Sequence, residues 1–246
     1  MDNKELLEIW CAFGIESEYD IIEIIPEMKE MIGLEVKNSN LHLFHHAIYT
    51  FLSINSDKIH LKLAALLHDI GKVKMKKIQK DGSIDYNGHH KLSVKMTREI
   101  LNKMNFDKEI IDKTLFLIDS HEKDWTTLRK KQIKKFHNLL LKNDITFEEY
   151  YNFLIANLAS KNFDYVIEKI ENYNLLLEEY YTINNLTRKE ININDINFSE
   201  SDIENDPVLK KLKINKFLLK EVCNFATRYN INNKFIFYSY LYKEFL

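Results

Sequence analysis

Turn-forming residues are the scarcest feature of this 246-residue chain: it has five glycines and two prolines, and every glycine (Gly14, Gly33, Gly71, Gly82, Gly88) precedes residue 90. A many-stranded sheet needs many tight turns, so the scarcity argues against one and favours long helices. Cysteine is nearly absent. Cys11 and Cys223 stand alone and far apart, which argues against a disulfide framework and against a cysteine metal site. Neither sign of charge dominates, and a formal net charge of -2 argues against a dedicated nucleic-acid-binding protein. No apolar run approaches the roughly 18 residues of a membrane span, and the opening MDNKELLEIW has neither a basic n-region nor an apolar h-region. The expectation is a cytoplasmic protein with no membrane partner.

What the chain does have is helical periodicity. Apolar residues make up 45% of it and recur at intervals of three and four. The pattern predicts helices over 3–13, 17–32, 40–54, 57–70, 89–104, 107–122, 126–142, 146–161 and 163–184. Pro26 suits a first helical turn. One hairpin is expected in KVKMKKIQKDGSIDYN, with Asp81-Gly82 as a type I′ turn. After residue 185 the polar stretch NINDINFSESDIENDP reads as a linker into a small helical tail, periodic near 207–230 and 233–246. This predicts an all-α fold with two parts, residues 1–185 and 186–246.

The most informative segment is KLAALLHDIGK, residues 62–72. The run Leu63 to Leu67 demands a buried helix, yet it ends directly in His68-Asp69. Burying an imidazole beside a carboxylate costs several kcal/mol unless the groups are paired or bound to a metal. Gly71 suits a left-handed position at the helix end, which would let Lys72 point back over the site. His46, His89 and His121 fall on three further predicted helices. Imidazole is the commonest neutral ligand for transition metals, a carboxylate can bridge two ions, and helices that each aim one ligand inward are how bundles build metal sites.

The pattern of His46, then His68-Asp69 inside LLHDIGK, with His89 in NGHHKLSVKMTREIL and His121 in LIDSHEK, resembles the HD superfamily of metal-dependent phosphohydrolases. The resemblance is closest to the C-terminal half of bacterial tRNA nucleotidyltransferases, the CCA-adding enzymes. IIPEMKEMIGLE, LFHHAIYTFL, LKLAALLHDIGK, YNGHHKLSVKMTREIL and FLIANLASKN follow that family's order over roughly residues 20–162. It implies an HD-type helical bundle holding one or two divalent ions (Mn, Ni, Fe, Co or Mg). His46, His68, Asp69 and Asn157 would hold one ion, and Asp69, His89 and His121 the other. It selects His46 over the neighbouring His45. Asp69 and Lys72 would be the catalytic pair. A nucleotide or RNA-end substrate is implied, such as a 2′,3′-cyclic phosphate or a phosphomonoester.

Two departures stand out. No Gly-Gly dipeptide or Asp-x-Asp pair supplies the machinery of that family's nucleotidyltransferase head, so CCA addition by this chain alone is not expected. The family's last metal carboxylate aligns with Asn157, an amide that brings no charge. Asp164 and Asp119 are badly placed to substitute for it. Two basic runs, Lys72, Lys74, Lys76, Lys77 and Lys80, then Arg129, Lys130, Lys131, Lys134 and Lys135, are either solvated faces or a rim that contacts phosphate or tRNA weakly. A non-catalytic RNA-binding body and a di-iron oxygenase stay open as alternatives. His42, His60, His90 and His137 are read as packing, rim or surface groups.

Overall fold

The structure, a computed structural model, describes residues 2–13, 20–39, 41–123, 125, 129–187 and 193–245, without the side chains of residues 12, 13 and 193. Residues 17–19, 40 and 126–128 of three expected helices, 188–192 of the expected linker and 246 of the expected tail lie outside that set. The chain divides into two compact units, Met1–Asp124 with Phe136–Ser160, and Trp125–Lys135 with Lys161–Leu246. The compositional boundary at residue 185 falls inside the second unit.

The first unit is built around one helix. α1 (Asn3–Phe13), α2 (Asp20–Ile24) and α3 (Leu43–Ser53) precede α4 (Ile59–Leu67), then come α5 (Lys72–Met75), α6 (His89–Lys103), α7 (Lys108–Ser120), α8 (Lys130–Lys142) and α9 (Phe147–Leu158). Leu61, Leu63, Ala64, Ala65, Leu66 and Leu67 of α4 are fully buried. A helix with so wide an apolar face lies at the centre of its unit. α4 packs against α1, α3, α7 and α9, and Ala64 and Ala65 leave room for close approach. α8 belongs to both units, burying Ile133, Phe136 and Leu140 while Lys130, Lys131, Lys134 and Lys135 are exposed.

Three local expectations are corrected. The segment expected as one helix over 17–32 is, where described, α2 followed by a 3-10 turn, Pro26–Met31, because Pro26 lacks the N–H that would continue α2. The hairpin exists, Lys77–Ile78 against Ile84–Asp85, but its turn is not type I′. Gly82 N–H bonds Gln79 O at 3.0 Å and only Gly82 has a positive φ, 82°. That is a type I turn closed by a left-handed glycine. Gly71 is not left-handed either: its φ is -67° and ψ -18°. It is glycine for lack of space, since a Cβ there would sit 2.5 Å from His89 O and 2.6 Å from Ser93 N.

In the second unit α10 (Phe163–Ile183), α11 (Glu200–Asn205), α12 (Asn215–Tyr229) and α13 (Lys234–Phe245) pack around Phe198, Ile203, Leu218, Val222, Phe225 and Phe237. α11 lies within the stretch expected to be a linker. At its start Asp202 Oδ2 accepts from the Ser199 N–H at 2.7 Å and from the Ser199 hydroxyl at 2.9 Å. No helix among the described residues is long and apolar enough to cross a membrane.

α9 starts on a second capping box, Thr146 with Glu149, and Glu149 also reaches Lys58 at 2.9 Å and His60 at 3.0 Å. Burial pushes the Glu149 carboxyl up, but the Thr146 N–H, Lys58 and His60 outweigh it and hold it below its ordinary value. Burial lowers His60 despite Glu149. Both folded values lie below the unfolded ones, so both contributions are complete above about pH 6.5 and lost on acidification. His60 begins the loss as pH falls below its unfolded value, and Glu149 adds to it as pH falls through its own folded value. Glu149→Ala is expected to cost about 1–2 kcal/mol at pH 7 and to reshape the acid limb of stability against pH, removing the part due to Glu149 and enlarging the part due to His60, which Glu149 opposes. Urea unfolding of both proteins between pH 4 and 8 checks this, and parallel curves would contradict it.

Candidate metal centre

The end of α4 places His68 and Asp69 side by side. The helix is pinned by its buried face, and its last N–H bonds run from His68 to Ala64 O (2.9 Å), from Ile70 to Leu67 O (3.2 Å) and from Lys72 to Asp69 O (3.0 Å). These successive tight turns aim both side chains into the unit rather than along the helix. Around them stand His46 from the middle of α3, His89 at the first position of α6 and His121 just past the end of α7. All five side chains are buried.

Three of the histidines are held in one way. His68 Nδ1–H donates to Ala65 O at 2.9 Å, His89 Nδ1–H to Tyr86 O at 3.0 Å, and His121 Nδ1–H to Ile118 O at 2.6 Å. Each bond goes to the carbonyl three residues earlier and turns Nε2 inward, where the neutral ring presents a lone pair. His46 differs: its Nδ1 meets Ser160 Oγ at 2.5 Å, a hydroxyl able to give or take the hydrogen.

The Asp69 carboxylate divides its oxygens between two histidine pairs. Oδ2 lies 3.2 Å from His68 Nε2 and 3.5 Å from His46 Nε2, and also holds Lys72 Nζ at 2.7 Å. Oδ1 lies 2.8 Å from His89 Nε2 and 3.6 Å from His121 Nε2; it is buried, and since both Nδ1 atoms donate to backbone carbonyls, neither ring in its neutral form has an Nε2 hydrogen to give it. Within each pair the Nε2 atoms are 3.1 Å (His46 and His68) and 3.4 Å (His89 and His121) apart. An ion bound about 2.0–2.1 Å from two imidazoles at a tetrahedral angle needs a spacing of about 3.3 Å. His46, His68 and Asp69, and Asp69, His89 and His121, thus form two sets of ligand atoms that fit divalent cations.

Burial pushes the Asp69 carboxyl up, but the His68 imidazole, the Lys72 ammonium and the contacts with His121 and His46 prevail and hold it well below the usual carboxylate range. Burial likewise lowers His121, and Asp69 offsets this only in part. An ionised carboxylate beside a neutral imidazole is the protonation a metal requires.

Asn157 sits on the face of α9 that bears on the centre. Phe153, four residues earlier, packs edge-on against His68 and His121, and Ser160, three residues later, touches His46. Asn157 Oδ1 is buried and accepts no hydrogen bond. Lys72, at the start of α5, keeps 14% of its side chain exposed and lies 5.7 Å from the Tyr86 ring centre. His90 is at the rim, bonded to Glu122 at 3.2 Å.

Other supports carry no sequence signal. Ser160 meets His46, Ser93 Oγ accepts the Gly71 N–H at 2.9 Å, and the buried Tyr150 hydroxyl donates to Ser120 O at 2.8 Å next to His121. A buried serine or tyrosine reads as ordinary packing until its partner is seen.

No curated protein matched the chain, and no solved structure did. A family model did match: HD domain, over residues 23–151. The matched span contains His46, His68, Asp69, Lys72, His89 and His121, and stops short of Asn157. It covers more than half of the sequence, and the chain belongs to the HD-domain family.

Proposed function

We propose that this chain is a metal-dependent phosphohydrolase acting on a nucleotide or RNA-end phosphate ester, either a 2′,3′-cyclic phosphodiester or a phosphomonoester. One observation carries the metal: the buried Oδ1 of Asp69 lies 2.8 and 3.6 Å from the Nε2 atoms of His89 and His121, whose Nδ1 hydrogens already go to backbone carbonyls. Three acceptors do not stay buried together without a cation. His46, His68, Asp69 and Asn157 would hold one ion, and Asp69, His89 and His121 another. When bound, such ions acidify water and withdraw charge from a phosphoryl oxygen.

The chain's own residues supply the rest. Ala65, Tyr86 and Ile118 orient the ligand imidazoles through their carbonyls. Lys72, at the edge of the buried set, neutralises charge gathering on the phosphate. Lys74, Lys76, Lys77 and Lys80, exposed along α5 and the hairpin, raise the local concentration of an anionic substrate. The substrate class rests on the similarity of residues 20–162 to the HD half of tRNA nucleotidyltransferases. A cytoplasmic location goes with that reading, as does weak RNA contact through the basic runs.

A neutral Asn157 favours a second reading, a body that keeps the HD fold and binds RNA without catalysis. Asn157→Asp separates the two. Where Asn157 faces a bound ion, the added charge is expected to tighten binding by roughly 1–3 kcal/mol and to raise turnover at limiting metal. Calorimetric titration of Mn²⁺ into both proteins checks this, and indistinguishable isotherms would remove Asn157 from the ligand set.

A further inference from the structure

On the metal-centre reading above, we infer that the two halves of the centre are unequal by construction: the His89–His121 half takes the first ion, and Lys72 competes with a second ion for Oδ2 of Asp69. The two halves differ in what they need when no ion is present. Around Oδ2 every group can be satisfied from within the protein. Lys72 Nζ donates to Oδ2 at 2.7 Å, the Ser160 hydroxyl can donate to His46 Nδ1 at 2.5 Å, and His46 Nε2–H can then donate to the His68 Nε2 lone pair at 3.1 Å.

The other half has no such arrangement. His89 and His121 both give their Nδ1–H to backbone carbonyls, so their Nε2 atoms, 3.4 Å apart, are both acceptors. The carboxylate oxygen between them, Oδ1, accepts nothing. A cation therefore relieves three acceptors left unsatisfied by neutral rings on the Oδ1 side, whereas on the Oδ2 side it must break two hydrogen bonds, reverse the one between His46 and Ser160, and move an ammonium.

Lys72 is well suited to yield. It is the first residue of a four-residue helix, its side chain is partly exposed, and the Tyr86 ring beside it offers an alternative rest for the ammonium. A phosphate would serve the same end, by drawing Lys72 off Oδ2 and opening that oxygen to the second ion. Substrate and second ion are then expected to bind with positive coupling.

Calorimetric titration of Co²⁺ into metal-stripped full-length protein tests this without reading activity. The wild type is expected to bind one equivalent tightly and a second at least about tenfold more weakly, with inorganic phosphate strengthening the second step. Lys72→Met is expected to tighten the second step by about tenfold or more, the size of one charge-assisted contact, while leaving the first within about threefold. Lys72→Gln should do the same and stands in if Lys72→Met misfolds. His121→Ala should remove the tight step, and His46→Ala only the weak one. Two equal steps in the wild type, an unchanged second step in both Lys72 variants, or loss of the tight step in His46→Ala would overturn the inequality and leave the metal centre standing. Absence of any binding in the folded wild type would overturn both.

Discussion

Replacing Asp69 by alanine is expected to lower phosphohydrolase turnover by at least about a thousandfold, above the roughly 10²–10³ attributed to a single oxyanion donor. Asp69 is the only carboxylate placed between the two histidine pairs among the described residues, so its removal takes a ligand atom from both sets at once. Lys72→Ala is expected to lose less, about 10²-fold, and mainly in the chemical step, because it removes charge stabilisation and leaves the ligand atoms in place. Turnover of 2′,3′-cyclic nucleotides and of nucleoside 2′- and 3′-monophosphates, with circular dichroism on each variant, checks both losses. Activity that follows neither residue would place the chemistry elsewhere.

Gly71→Ala is expected to destabilise the protein by about 2–3 kcal/mol, the upper part of the range for overpacking. The new Cβ would fall 2.5 Å from His89 O and 2.6 Å from Ser93 N, and backbone atoms cannot turn aside as a flexible side chain would. Relief requires moving the first turn of α6, and His89 with it, so metal affinity should fall as well. Gly71→Asn separates this cause from backbone conformation. A glycine needed for a left-handed turn accepts asparagine better than alanine, whereas one needed for close approach accepts asparagine no better. Urea denaturation of the two variants decides, and a milder effect of asparagine would restore the left-handed account.

Gly71 also shows where sequence reasoning reached its limit. Its position after LLHDI marks the end of a helix, and the helix does end there. Whether the glycine is needed for φ or for space depends on α6 crossing it, a contact between residues far apart in the chain. α11 was missed for a different reason: polar composition suggested a linker, although Ser199 and Asp202 have the spacing of a helix cap. In contrast, α4 was legible because an unbroken apolar run has no other home than a core. The histidines were legible from their association with His68-Asp69. The tautomers that prepare three of them as ligands were not, because every residue carries a carbonyl and only the fold decides which one an imidazole meets.

This buried set of acceptors is built to hold a cation. Metal content measures that most directly. Wild type and Asp69→Ala, each exposed in turn to Mn²⁺, Fe²⁺, Co²⁺ and Ni²⁺ and then passed through gel filtration, are analysed for bound metal per chain. About one equivalent or more is expected on the wild type with at least one of these ions, and less than about a tenth of an equivalent on a folded Asp69→Ala. A folded wild type that retains less than about a tenth of an equivalent of every ion would contradict it.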